Sequence, residues 1–349
     1  MSTQYTTRPA ASPEQSTGRA LLAWFDRHRR ALPWRTKGKR RDPYKVWLSE
    51  IMLQQTTVAA VIPYFETFTT RWPSVEALAA ADDQEVMAAW AGLGYYARAR
   101  NLLATARAVA SAGRFPETAD ALKALPGVGT YTSAAVAALA FGEAVPVVDG
   151  NVERVVARLT ALDVPPKTAA GTVRDVVEAM LPADRPGDFA EAMMDLGATL
   201  CTPRSPACGI CPIRPSCAAG LAGDPARYPV KPPKRARAQW HGVVFAPFKP
   251  DGSCLFRIRP PKGLLGGMPE LFGSSWGEPP ADPLSHAPFG AAWEPAGSVR
   301  HIFTHAELHL DVFRVQAPAQ RRAPEGAFWR TPDEAGLPTL MKKAVARAA

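Results

Sequence analysis

The chain has little that would tie it to a membrane or to an oxidising compartment. Its apolar runs are too short, and too often broken by glycine and proline, to cross a bilayer. Residues 1–17 are rich in Ser, Thr and Pro and hold no apolar segment that would serve as a secretion signal, so they are expected to form a disordered tail. Only five of the 349 residues are cysteine, and four of these fall between 201 and 217. That excludes a disulfide framework spread over a secreted domain and points to one metal site in a reducing compartment, the cytoplasm. Acidic residues are outnumbered, 32 against 41 basic, for a net charge of +9. A polyanionic partner fits that balance, although arginines kept for solubility would give the same number. Apolar residues are plentiful at 47%, enough at this length for two packed domains.

Period-two alternation is also missing before residue 240, and helical spacing takes its place. Leu21, Leu22, Trp24 and Phe25 mark a first helix that stops at Leu32-Pro33-Trp34-Arg35, followed by a polar basic loop through Arg41. Trp47, Leu48, Ile51, Met52, Val58, Val61 and Ile62 then give one buried stripe over 43–65. Further helices are predicted near 74–91, 97–113, 118–125, 131–141, 151–162, 167–181 and 188–200, making 18–226 an all-α domain. Residues 227–240 form a Pro/Lys/Arg linker suited to an extended spacer along phosphates. From 241 to 349 the pattern changes to α+β. Stretches 242–248 and 254–258 flank an Asp251-Gly252 turn as a β-hairpin, 298–303 and 307–315 read as strands, and Thr331 to Glu334 reads as the capping box of a short helix.

The stretch from Leu125 to Asp149 organises the first domain. Leu125-Pro126-Gly127-Val128-Gly129 is a tight hairpin between apolar helical runs, and a helix starting past Gly129 would aim free N–H groups at a phosphate-sized anion. An ordinary helix–turn–helix corner would look the same. Asp149 ends the run Val145 to Val148 and precedes a second helix, where the dipole and free amides favour its charged form; a plain N-cap is the competing reading. Glu50 sits inside Val46-Trp47-Leu48-Ser49-Glu50-Ile51-Met52-Leu53, where desolvation would raise its pKa and let it donate a proton near neutrality; an exposed glutamate on a helix surface is the competing reading. One protonated carboxyl and one carboxylate are the pair used to cleave a glycosidic bond. Cys201, Cys208, Cys211 and Cys217 contain a single Cys-x-x-Cys knuckle and no histidine, and suit either zinc or an iron–sulfur cluster.

These motifs together resemble the helix-hairpin-helix–Gly/Pro–Asp superfamily of base-excision glycosylases, most closely the adenine DNA glycosylases of the MutY type. The resemblance runs over about residues 20–315. It implies a glycosylase fold with a [4Fe–4S] cluster on the four cysteines and a Nudix-like C-terminal domain. The implied activity is removal of adenine mispaired with 8-oxoguanine or guanine in double-stranded DNA by a monomeric enzyme, cytoplasmic or nucleoid-associated. Trp47 to Thr56 matches the family's segment bearing the catalytic Glu, here Glu50, and Asp149 its catalytic Asp, with Asn151 orienting these groups. Endonuclease III-like glycosylase/lyases place a Schiff-base lysine where this chain has Tyr131. A monofunctional enzyme is therefore expected, with the Tyr131 hydroxyl assisting near Asp149. Gln55 and Thr56 would contact the opposite strand, Tyr95 would wedge beside the lesion supported by Leu93, and Arg98 and Arg100 would hold phosphates. Gly127, Val128 and Gly129 supply the hairpin, while Arg35 and Glu191 match positions lining the adenine pocket. Phe303-Thr304-His305 resembles the 8-oxoguanine-sensing loop, usually Phe-Ser-His. The acidic box that a Nudix hydrolase needs is missing around 263–276, so this domain is expected to read damaged DNA and not to cleave pyrophosphates.

Overall fold

Proline and short polar caps begin most of the helices. A computed structural model of the chain describes residues 12–35, 41–54, 56–233, 236–260, 263–303 and 305–349. The chain divides between Pro232 and Pro233 into two compact units. The first holds α1 (Pro13–His28), α2 (Pro43–Leu53), α3 (Val58–Arg71), α4 (Val75–Ala79), α5 (Asp83–Trp90) and α6 (Tyr96–Ala112). It continues through α7 (Ala119–Leu122), α8 (Thr130–Val136), α9 (Gly150–Leu159), α10 (Ala170–Met180), α11 (Pro186–Thr199) and α12 (Ala218–Leu221). Ser12 and Asp42 cap α1 and α2 through their side chains, each followed by Pro at the first helical position, where a missing N–H costs nothing.

Several boundaries differ from the sequence expectation, each for a local reason. Helix α1 begins inside the stretch expected to be a tail: the Ser12 cap starts it at Pro13, and Thr17 is already buried. The single helix expected over 43–65 is two, because Gln54 leaves helical geometry at ψ 114° and the Thr57 hydroxyl caps a new start at Val58. Likewise Asp82 caps α5 and breaks the helix expected over 74–91.

The apolar stripes gather into two clusters. Trp47, Met52, Phe68, Trp90, Leu103 and Val136 belong to the first, which gathers α2 to α8. Leu21, Phe25, Val155, Val177, Phe189 and Leu196 belong to the second, which packs α1 against α9, α10 and α11. Burying a large side chain of this kind stabilises the fold by roughly 1.5–3 kcal/mol. At Gly197 the second cluster closes so tightly that a Cβ would meet the Cβ of Asn151 at 2.6 Å. Glycine there lets α11 press on the start of α9.

The second unit is a sheet in the order β3–β2–β1–β6–β5, from β1 (Ala238–Phe248), β2 (Cys254–Ile258), β3 (Pro269–Glu270), β5 (Glu294–Ile302) and β6 (Ala306–Gln316). The short strand β4 (Phe272–Gly273) pairs with β1, and β7 (Ala327–Arg330) with β2. β1 and β2 form the expected antiparallel hairpin, while β1 and β6 run parallel from Ala238 opposite Ala306. That pairing draws the start of β1 back into the stretch expected to be linker. Thr331 donates to Glu334 at 2.8 Å, but the box closes only turns. The helix comes later, as α13 (Thr339–Ala348), whose Leu340, Met341, Ala344 and Val345 cover the sheet. Among the described residues no helix is long and apolar enough to cross a membrane.

Candidate active site and cluster site

Two carboxyl groups far apart in the chain line one cavity of about 430 Å³. Its walls come from α2 and α8, from the N-terminus of α9, and from α11. Glu50 enters from α2, is 5% exposed, and accepts a hydrogen bond from the Tyr131 hydroxyl at 2.8 Å. Burial pushes its pKa up to about 7 against the opposing pull of that hydrogen bond, and the charges of Asp149 and Glu191 add to the rise. Tyr131 itself is held well above its usual range by burial and by the neighbouring carboxyls, and so stays a hydroxyl donor. Tyr131 lines the same cavity as Asp149, as expected, while its hydrogen bond goes to Glu50 because α8 packs against α2.

Asp149 is the N-cap of α9. Its Oδ1 accepts the Val152 amide and its Oδ2 the Asn151 side-chain amide, both at 2.8 Å. The N-cap reading is the one this geometry shows, and the capping side chain lies on the cavity wall. Asn151 is fixed in turn by Arg154, whose Nη2 donates to Asn151 Oδ1 and to the Gly197 carbonyl, both at 2.8 Å, while Nε donates to the Cys201 carbonyl at 2.8 Å.

Arg35 and Glu191 also line the cavity, joined at 3.3 Å, and both are nearly fully buried. Arg35 further grips Asp195 through two hydrogen bonds of 2.7 and 2.9 Å. Arg41, expected on an exposed basic loop, is 7% exposed and donates to Glu191 Oε1 at 2.5 Å and to Asp188 at 2.8 Å. Buried charges persist only in such pairs. Glu191 Oε2 is left buried without a hydrogen-bond partner. Arg41 and Asp195 were missed in the sequence. The available signal was the spacing of Glu191 and Asp195, four apart on a helix otherwise carrying Ala190, Ala192, Met193 and Leu196.

The remaining candidates fall on this cavity and in three other places. Thr56 lies on the cavity wall, whereas Gln55 is outside the described residues. Leu93 is buried beneath a loop from which Tyr95 projects, 63% exposed and at φ 48°. Arg98 does not reach outward as a phosphate contact: its terminal nitrogens donate to the carbonyls of Ile51, Gln54 and Leu93. Gly127 turns the hairpin at φ +70°, where a Cβ would meet Asn101 at 2.6 Å. Gly129 caps α8, and Val128 is buried in the first cluster with its amide donating to the Leu125 carbonyl at 3.2 Å. In the second unit Phe303 stacks on Trp276 at 5.9 Å and His305 meets Trp240 edge-on at 5.2 Å, while Thr304 is outside the described residues.

Cys201, Cys208, Cys211 and Cys217 line a second, small cavity with the apolar side chains of Val155, Leu196 and Ile213. Arg158, fully buried, donates to Cys201 Sγ at 3.3 Å and to the Thr202 carbonyl at 2.8 Å. Four thiols with no histidine, a dry wall and a buried cation fit an iron–sulfur cluster bearing net negative charge.

Residues 48–177 match the HhH-GPD superfamily of base excision DNA repair proteins, 201–217 the iron–sulfur binding domain of endonuclease III, and 243–347 the NUDIX domain. The chain is 34% identical to the adenine DNA glycosylase of Rattus norvegicus over 93% of its own length and 76% of that protein. It is 34% identical to that of Homo sapiens over 93% and 72%. It is 46% identical to that of Mycolicibacterium smegmatis over 59% and 70%. Among solved structures, a thermostable thymine-DNA glycosylase superposes with a TM-score of 0.54 at 30% identity, covering 60% of this chain and 97% of that one. Endonuclease III in a non-covalent DNA complex shares the fold, with a TM-score of 0.50 at 22% identity over 62% and 99%.

Proposed function

The chain belongs to the adenine DNA glycosylases of the MutY type, and from that premise we propose that it removes adenine mispaired with 8-oxoguanine or guanine by hydrolysis alone, without strand cleavage. It is a DNA glycosylase of base excision repair, and its cofactor is a [4Fe–4S] cluster. The observation that carries the proposal is the meeting of Glu50 and Asp149 in one cavity, the first poised to hold a proton at neutral pH.

In the proposed reaction an adenine is turned out of the duplex into this cavity. Glu50 gives its proton to N7, and the bond between C1′ and N9 breaks with its electron pair leaving on the purine. The Asp149 carboxylate stabilises the oxocarbenium sugar, with Asn151 holding that carboxylate in place. Water then adds its hydroxyl to C1′ and returns its proton to Glu50. Tyr131 orients Glu50. It has no amine to form a Schiff base with the sugar, which supports a monofunctional enzyme. Arg35 and Glu191 line the base pocket, and the partnerless Oε2 of Glu191 suits a purine amino group.

Cys201, Cys208, Cys211 and Cys217 would hold the cluster. When bound, it supplies a rigid charged staple for the loop 201–217. Gly127 and Gly129 offer backbone amides to a phosphate, Val128 closing the hairpin between them through the Leu125 carbonyl, and Tyr95, braced by Leu93, enters the duplex. Thr56, with Gln55, contacts the opposite strand. Phe303, Thr304 and His305 read the 8-oxoguanine. We place the protein in the cytoplasm as a monomer, with 18–226 as the catalytic domain and 241–349 as the lesion reader.

The test is single-turnover base release on duplexes with adenine opposite 8-oxoguanine, guanine or thymine, run beside borohydride trapping. Release fastest opposite 8-oxoguanine and no trapped adduct is the expected result. Equal rates on all three, or a covalent adduct, would contradict the mispair reading or the hydrolytic one respectively.

A further inference from the structure

The loop 91–95 presents Tyr95 already formed. Tyrosine at φ 48° is held there only where its neighbours fix the backbone. Three side chains do so. The Tyr64 hydroxyl donates to the Ala91 carbonyl at 2.8 Å, Trp90 Nε1 to the Gly94 carbonyl at 3.0 Å, and Arg98 Nη2 to the Leu93 carbonyl at 2.9 Å. Trp90 and Tyr64 anchor the loop to α5 and α3. Arg98 reaches in a second direction as well. Its Nη1 donates to the carbonyls of Ile51 at 3.1 Å and Gln54 at 2.5 Å, at the end of α2, and Ile51 directly follows Glu50. The same guanidinium lies 5.5 Å from the centroid of the Tyr95 ring and 5.4 Å from that of Trp90.

One planar, always charged group thus joins the segment bearing the exposed aromatic to the segment bearing the buried acid. Its donors reach the Leu93 carbonyl on one side and, on the other, the carbonyls of Ile51 in the last turn of α2 and of Gln54, the residue that ends it. A guanidinium does this because its fork offers separated donors in a fixed plane. We propose that Arg98 is a positioning residue that makes adenine release depend on the seating of Tyr95 in the duplex, by coupling the 91–95 loop to the helix that carries Glu50. The proposal rests on the reading in which Tyr95 enters DNA and Glu50 supplies the proton.

A double-mutant cycle tests it, using the full chain with its cluster and a duplex carrying adenine opposite 8-oxoguanine. Arg98→Met and Tyr95→Ala should each slow single-turnover release by about tenfold or more, since sub-ångström misplacement of an acid costs that much. Affinity for a non-hydrolysable duplex should change by less than about threefold in Arg98→Met, a split between rate and binding that general unfolding does not give. The double variant should be no slower than the slower single one, because both remove the same coupling. Losses that multiply in the double variant would overturn the proposal, as would a wild-type rate for Arg98→Met. Arg98→Lys keeps the charge but not the fork and is the second probe should the Met variant fold poorly. An intermediate rate at unchanged iron content supports the proposal, and a wild-type rate overturns it. Unimpaired release by Glu50→Gln or Tyr95→Ala strikes at the reading beneath the proposal, whereas multiplying losses strike at Arg98 alone.

Discussion

Replacing Glu50 by glutamine should make the protein more stable at neutral and alkaline pH than at acid pH, relative to wild type. Burial raises the Glu50 pKa from 4.5 to about 7, which disfavours its ionised form in the fold by roughly 3 kcal/mol. The sign follows from linkage. Because the folded pKa lies above the unfolded one, the protonated carboxyl favours the fold fully below pH 4.5. That contribution is lost as pH rises through about 7, where the folded protein must also ionise. Glutamine keeps the shape and the acceptor for Tyr131 but does not titrate. The gap in melting temperature between variant and wild type should therefore widen between pH 4.5 and about 7 and then level off. About 3 kcal/mol corresponds to a gain of roughly 6–12 °C in a domain of this size. Paired thermal melts followed by circular dichroism across that range read the effect. A gap that stays constant with pH refutes the desolvated acid, whatever its size, because strain from the new amide would not titrate.

Three further outcomes follow from the same geometry. The Tyr131 hydrogen bond lowers the Glu50 pKa, so Tyr131→Phe should move the alkaline limb of the pH–rate profile upward; an unmoved or lowered limb would count against that contact. Arg41→Met leaves Glu191 with Arg35 alone at 3.3 Å, and breaking such a buried pair should cost about 3–5 kcal/mol in urea unfolding. A loss under about 1 kcal/mol, the range of exposed pairs, would show the pair to be solvated. Cys217→Ser should lower iron content and weaken duplex binding together; full iron loading would remove that cysteine from the ligand set.

The fold class was legible because helical spacing of Trp, Leu and Val persists to about residue 200 and alternation appears only after 240. Boundaries were less legible where one side chain decides them, as at Thr57 and Asp82, whose caps split helices that periodicity alone runs together. The neighbours of Glu50 and Asp149 in the chain, one set apolar and one at a helix start, allowed a proton donor and a carboxylate but equally a surface glutamate and a plain N-cap, and the resemblance singled them out. Their meeting was not readable from spacing, since it depends on α2 and α9 packing from different clusters. Arg41, in a basic loop, and Arg98, at a helix start, were misread for a single reason. A basic residue looks solvated until the carboxylates or carbonyls that bury it are brought in from 40 or more positions away. The sequence reading placed Tyr131 near Asp149, and both line the one cavity; the hydrogen bond to Glu50 was not legible because it depends on α8 packing against α2.

The central claim is that Glu50 and Asp149 act on one base from opposite roles. The most direct measurement is adenine release beside duplex binding for Glu50→Gln and Asp149→Asn, each loaded with its cluster. Binding within a few-fold of wild type with no detectable release from either variant is the expected result, since each substitution removes one of two groups that act as a unit. Sustained release by either variant would contradict the account.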